Sequence, residues 1–424
     1  MARQNPPVRR LYDTGVRYFT PGTWILVVLA WIFVGIAFAR FFFGLSAVTN
    51  FDNDYPWGIW KGINIASFIA LGAAGFTMAF ISHIYGRHQY SPLVRRAIVF
   101  AMLCYTFAPI SLIVDLGRYW AFWHPIFPLW WQGNSVLFEV AMCVMLYLLV
   151  LIIEFVPFVV EHYRHRVALP GILRIFNRFA ELILWLIEKT VMKVLFVFVI
   201  LGVVLSCLHQ SSLGSLMIIA GTKLHPLWQT PMLPLLYLVS AISVGFPVIA
   251  FISLTSTYSF HQDPETGLLQ RLLLYTPFLL GIYIILKIYD LIHRGALGYL
   301  AENSIQSFAF MFEMALVIAG CVMFSIRKVR ETPAYLTIAS AITMLAIVFN
   351  RENVMVTGFR PPGLDHVYVP TFWEVLFTIG LISSLILVYR FIVIYVPIFG
   401  VKQEVSTMTK APGNLATNSS GGGS

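Results

Sequence analysis

Between residues 208 and 229 the chain reads LHQSSLGSLMIIAGTKLHPLWQ, with two histidines, three serines, two glutamines and a lysine set between strongly apolar runs. Polar groups this dense at the lip of a bilayer must satisfy one another or grip a ligand. Similar groups gather where other apolar runs begin or end. Tyr55-Pro56-Trp57-Gly58 opens one run, Asp115 and Arg118 lie one helical turn apart beside Tyr119 and Trp120, and Asn134 starts another. This is the inventory a quinone head requires: donors or acceptors for two oxygens, and ionisable groups for the two protons that accompany two electrons. His209, Asp115 and Arg118 are expected to position and protonate such a head. Asn134, Gln210 and Tyr119 are expected to bond its oxygens, with Ser211 and Trp57 beside them. Each residue also has a plainer reading. Trp57, Trp120, Trp130 and Trp131 suit an interfacial belt, Asp115 and Arg118 a structural ion pair, and the serines a cap for freed helix-end carbonyls.

Carboxylates inside apolar runs form a second set. Glu139 is placed about 7 Å inside its span, with Glu154 about 22 Å further along the same helix. Fifteen residues at 100° each bring the two within about 60° of one face. Glu313 repeats the pattern, and Glu374 sits just inside the last run. A charge in hydrocarbon costs several kcal/mol, so such groups face a bundle interior and commonly mark a proton path. Glu139, Glu154 and Glu313 are therefore expected to relay protons, although Glu154 and Glu374 are near enough to span ends to be solvated instead.

The elements that hold these residues follow from composition. The chain has 424 residues, 59% hydrophobic and 11% charged, and its mean hydropathy is +0.81. Apolar runs near 24–45, 59–85, 94–116, 136–159, 191–208, 233–256, 272–291, 305–324, 335–349 and 372–396 are each about the length of a bilayer crossing. An all-α integral membrane protein of about ten transmembrane helices is expected. The formal charge of +9 is then the cationic flank of membrane spans, not a nucleic-acid footprint. Alternate loops carry about eighteen cations on one side and about five on the other, which orients both termini toward the cytoplasm. The connection from His162 to Lys189 is basic and amphipathic and reads as a helix on the membrane surface. The tail after Val401 reads as a flexible end.

Cys104, Cys143, Cys207 and Cys321 are scattered singly, which gives no iron–sulfur or zinc pattern. Of the ten histidines only His83 and His209 fall within spans, both near an end, so paired axial ligands are missing and a haem-free chain is expected.

A weak internal repeat appears. Asp115 and Asp290 are 175 positions apart, Glu139 and Glu313 are 174 apart, and Asn134-Ser135 finds a counterpart in Asn303-Ser304. Two parallel four-helix bundles flanked by the first and last helices would explain it. The corresponding division is 1–23, a cytoplasmic segment; 24–54, the first helix and outer loop; 55–230 and 231–350, the bundles; 351–400, an outer loop and the last helix; and 401–424, the tail.

Several long motifs resemble the NrfD/HybB family. They are Tyr55-Pro56-Trp57-Gly58-Ile59-Trp60, Asp115-Leu116-Gly117-Arg118-Tyr119-Trp120, Asn134-Ser135-Val136-Leu137-Phe138-Glu139, His209-Gln210-Ser211-Ser212-Leu213-Gly214-Ser215-Leu216, His225-Pro226-Leu227-Trp228-Gln229 and Pro370-Thr371-Phe372-Trp373-Glu374. They span roughly 56 to 396 and are most similar to the branch that anchors a periplasmic nickel–iron hydrogenase. The resemblance implies a haem-free, quinone-reactive subunit of a respiratory complex in the bacterial inner membrane. It also implies two four-helix bundles, menaquinone (or ubiquinone) near the outer face, and a docked iron–sulfur protein with a catalytic subunit. Glu139 matches the carboxylate associated with proton movement. A proton-coupled transporter, or a structural anchor whose quinone site lies in another subunit, are the competing classes.

Overall fold

The computed structural model describes residues 17–164, 167, 171–262, 264–364, 366–396 and 398. The expected tail and most of the N-terminal segment lie outside the described residues. Among those described, ten helices are long and apolar enough to cross a membrane, and no sheet forms. They are α1 (Pro21–Phe43), α2 (Trp60–Ile84), α3 (His88–Asp115), α4 (Val136–Glu161), α5 (Arg174–Ile218), α6 (Leu233–Ser259), α7 (Thr266–His293), α8 (Ile305–Ser325), α9 (Pro333–Thr357) and α10 (Phe372–Tyr395). The protein is a multi-pass all-α membrane protein.

The helix starts are written in polar residues at the edge of each apolar run. Thr20 caps α1 ahead of Pro21, Ser135 caps α4, and Ser304 with Ser307 and Thr371 with Glu374 form reciprocal capping boxes on α8 and α10. Each satisfies amide donors that hydrocarbon could not.

The most enclosed helices are α2, α3 and α6. α2 packs on α3, α6 and α9; α6 also packs on α5, α7 and α9; α4 lies against α3 and α5, and α8 against α7 and α9. α1 pairs with α10 on the outside. The described start of the chain is tied to the end of α10, where Tyr18 donates to the Leu387 carbonyl at 3.2 Å and Arg390 to the Arg17 carbonyl at 2.8 Å. That end of the molecule is the terminal end, and the opposite one is distal.

Two elements differ from expectation. Asn177–Ile218 is one unbroken α-helix of 42 residues, about 63 Å long against a hydrocarbon core of about 30 Å. The basic stretch expected to lie separately on the surface is thus continuous with α5. Its amphipathic pattern has helical period throughout, and nothing between 177 and 191 breaks the helix. Second, α9 runs past 349 through a π-helical turn, Asn353–Thr357, and α2 opens with another, Trp60–Ser67. Such turns widen the helix by one residue and re-aim side chains, commonly at functional sites.

Candidate functional site

At the distal end Asp115, the last residue of α3, is fully enclosed and forms an ion pair with Lys61 in the π-helical opening of α2. Lys61 keeps 21% of its side chain exposed, so the pair sits at the lip rather than in the depths. Arg40 from α1 closes the site from behind. Its Nε donates to the Val114 carbonyl at 2.5 Å and Nη2 to the Leu116 carbonyl, capping the C-terminus of α3, while its guanidinium lies 4.8 Å from the Tyr119 ring. One turn inward from Lys61, Asn64 donates to Ser111 at 3.2 Å. Arg118, the expected partner of Asp115, is exposed and forms no ion pair among the described residues. The i,i+3 spacing offered it as a neighbour, but α3 ends at Asp115, and the turn that follows carries Arg118 away.

A second group lies deeper, between α3, α4 and α5. His209 is wholly buried beside the Val140 backbone, edge-on to the Tyr105 ring at 5.6 Å. Tyr105 meets Tyr147 at 4.5 Å. Gln210 donates to the Ile69 carbonyl at 2.7 Å. Neither His209 nitrogen makes a hydrogen bond of normal geometry, nor do the Tyr105, Tyr147 and Ser206 hydroxyls or Gln210 Oε1. At the distal end of this group Ser212 donates to Glu139, which occupies the exposed first turn of α4. At its other end Glu154, 5% exposed, rests against Gly202, where a Cβ would stand 3.0 Å from its Oε1. A file of polar side chains thus runs from Glu139 through Ser212, His209, Tyr105, Ser206 and Tyr147 to Glu154.

A third group joins α6, α7, α8 and α9. Glu313 is fully buried and accepts from Trp228 Nε1 (3.1 Å), Asn350 (2.7 Å) and Asn353 (2.9 Å). Arg351 donates to Asn350 Oδ1 at 2.6 Å and to the Tyr237 carbonyl and Ser240, both at 3.0 Å, with its charge 3.7 Å from the Tyr237 ring. Lys287 is 1% exposed and lies over Phe310. Asp290, expected to parallel Asp115, pairs instead with Arg294 just past the end of its own helix at 2.6 Å and accepts from Thr230 at 2.5 Å.

The structure therefore divides what the sequence gathered. Tyr105, which touches His209, precedes Asp115 by ten residues, about 15 Å along α3, so His209 and Gln210 lie well below the Asp115 rim. Ser211 bonds back to the Leu208 carbonyl at 2.9 Å, and its neighbour Ser212 faces the file instead. Asn134 is exposed. Trp57 donates to the Met355 carbonyl at 2.9 Å and packs on Phe359, bracing α2 against α9. Glu374, fully buried, accepts from Tyr368 and from the amides of Asn50 (2.9 Å) and Thr371 (3.1 Å), so it ties loops together rather than meeting solvent. Sequence reasoning missed Lys61 and Lys287, each a lone cation in an apolar run and so a legible signal, and Arg351, which falls just past the run 335–349. Tyr105 and Tyr147 carried none.

Residues 47–362 match the family model described as "Polysulphide reductase, NrfD". The chain belongs to the NrfD family. Relatives of this NrfD-family chain include the "Probable Ni/Fe-hydrogenase 2 b-type cytochrome subunit" of Escherichia coli (strain K12), 32% identical over 85% of this chain and 87% of that one. The "Menaquinone reductase, integral membrane subunit" of Nitratidesulfovibrio vulgaris is 24% identical over 85% and 87%. A selenate reductase subunit of Mesobacillus selenatarsenatis is 24% identical over 85% and 89%. The family is thus one of membrane subunits of respiratory reductases and hydrogenases.

The first name corrects one expectation. A b-type cytochrome is a haem protein, so the haem-free reading of the sequence is overturned by this relative. Counting histidine pairs tests one ligand set only, since haem iron also accepts methionine, cysteine or tyrosine. Among the histidines whose side chains are described, His209 is fully buried, and His83, His88, His124, His225, His261, His293 and His366 are exposed or half-buried. The described residues therefore do not fit a bis-histidine site.

Proposed function

We propose that this chain is the quinone-reactive membrane subunit of a respiratory oxidoreductase, passing electrons between a quinone of the menaquinone or ubiquinone kind and an iron–sulfur partner docked on the distal face. On this reading the distal face is periplasmic, both termini are cytoplasmic, and the membrane is the bacterial inner one. α2–α5 and α6–α9 form the two four-helix units. What carries the reading is the Lys61–Asp115 pair, an ion pair at the lip of the membrane with one member partly exposed and the other enclosed. It offers a donor and an acceptor within one head-group's reach, and family relatives bear quinone and reductase names.

Lys61 donates to one oxygen of the quinone and Asp115 passes it a proton, with Tyr119 and Arg118 at the rim. Arg40 fixes the end of α3 so that the carboxylate keeps its aim. Protons move along the file from Glu154 through Tyr147, Ser206, Tyr105 and His209 to Ser212 and the exposed Glu139 at the distal surface, and Asp115 is reprotonated from that surface beside the part-exposed Lys61. The unspent hydrogen-bonding capacity of its buried members supports that role. Glu313, held by four donors, serves the second unit.

The test is made on the purified complex. Asp115→Asn and Lys61→Met are expected to lower quinone reduction by on the order of 10²-fold while leaving the partner's reaction with a soluble dye untouched. Full quinone activity in both variants, or quinone recovered only with another subunit, would point to a structural anchor.

A further inference from the structure

A large apolar cavity lies far from that rim. About 660 Å³ of space opens between α1, α2, α3, α6, α9 and α10 toward the terminal end. Its walls are formed by side chains such as Phe68, Phe100, Phe251 and Leu385. Along α6 it extends from Phe251 to Ser259, eight residues or about 12 Å, so it is long and apolar. Such a space does not hold water, and leaving it unfilled forfeits the dispersion contacts of every wall. A hydrocarbon chain drawn from the surrounding bilayer would restore those contacts.

The polar groups cluster at one end. Ser256 and Tyr389 hydroxyls share a hydrogen bond at 3.2 Å. Arg390 spends Nε on the Tyr18 carbonyl (3.2 Å) and Nη2 on the Arg17 carbonyl (2.8 Å), leaving Nη1 without an acceptor among the described residues. A cation and a hydroxyl pair at the mouth of an apolar slot match a phosphate on a fatty chain. Among the described residues no carboxylate or histidine lines the cavity, so a quinone head seated there would meet hydroxyls but no carboxyl or imidazole.

We propose that this cavity is a structural binding site for one anionic phospholipid, with an acyl chain between α1, α6 and α10 and its phosphate on Arg390. The site is independent of the distal pair and holds whatever the outcome for quinone.

The complex is purified in mild detergent, delipidated by exchange, and examined by native mass spectrometry and lipid extraction. Wild type is expected to retain a phospholipid that Leu385→Trp, which fills the slot, does not. Because that variant could fail to fold, Arg390→Gln provides a second arm: after adding back phosphatidylglycerol or phosphatidylcholine, its preference for the anionic lipid should fall by about fivefold, the worth of one cation near a membrane surface. Retention of lipid by a folded Leu385→Trp would overturn the proposal, as would an unchanged head-group preference in Arg390→Gln. Recovery of quinone in place of phospholipid from the wild-type slot would do the same.

Discussion

Lys61 illustrates how a residue gains its role from a partner that spacing cannot name. It lies in the first turn of an apolar helix, and its counter-ion is supplied by α3. The sequence marks both as costly charges in a membrane, which is why Asp115 was legible. Local spacing then offers Arg118, because it knows only neighbours on one helix. Glu313 is the opposite case: its burial was readable, but its four donors come from a loop, from α7 and from α9. Removing it strands those donors and takes away the carboxylate nearest Arg351 and Lys287. Glu313→Leu should therefore cost about 3–5 kcal/mol of stability, and Glu313→Gln clearly less, measured as the loss of folded protein on thermal challenge in detergent. Equal stability of Glu313→Leu and wild type would show that the cluster is not a stabilising network. The haem expectation failed at this scale as well, since histidine spacing tests only one of the ligand sets iron accepts.

Helices were read more securely than residues, because the length of an apolar run is set by hydrocarbon thickness and not by tertiary context. What escaped was where each helix bends or stops. The π turns of α2 and α9 have no sequence signature, yet one carries Lys61 and the other Asn353. Close approach of α5 to α6 depends on Gly214, where a Cβ would stand 2.6 Å from the Pro234 Cα. Since that neighbour is backbone, Gly214→Ala must push the helices apart and should cost about 1–3 kcal/mol. A melting temperature unchanged by this substitution would mean the contact is looser than described.

The connection between these helices carries a pH response. His225 Nδ1 accepts from the Leu227 amide at 3.3 Å, and the turn delivers Trp228 to Glu313. Burial lowers the His225 pKa, outweighing the pull of Glu302 in the other direction. The folded imidazole thus binds its proton less tightly than the unfolded one, whose pKa is about 6.5. Its contribution is whole above about pH 6.5 and is lost as pH falls below that value. Hydrogen exchange at Leu227, corrected for intrinsic rate, should accelerate between neutral and mildly acidic pH. A flat profile would contradict this account of the turn.

For the whole molecule, apolar runs alone pointed to about ten membrane helices, ten are found among the described residues, and the family follows from a match over most of the chain. The mutual arrangement was not legible, because every helix is apolar on most of its surface and periodicity gives no facing direction. The consequence is functional. Residues gathered by sequence into one pocket separate: Asp115 stands at the rim with Lys61, while His209 and Gln210 lie in a deeper polar file. The central claim is that the quinone head meets the rim pair. Photo-crosslinking with an azido-quinone, followed by peptide mapping, tests it most directly. The account predicts label on the peptides that carry Lys61 and the Asp115–Tyr119 turn, suppressed by excess unlabelled quinone and lost in Asp115→Asn. Specific labelling confined to another subunit, or to helices remote from that end of α2 and α3, would contradict it.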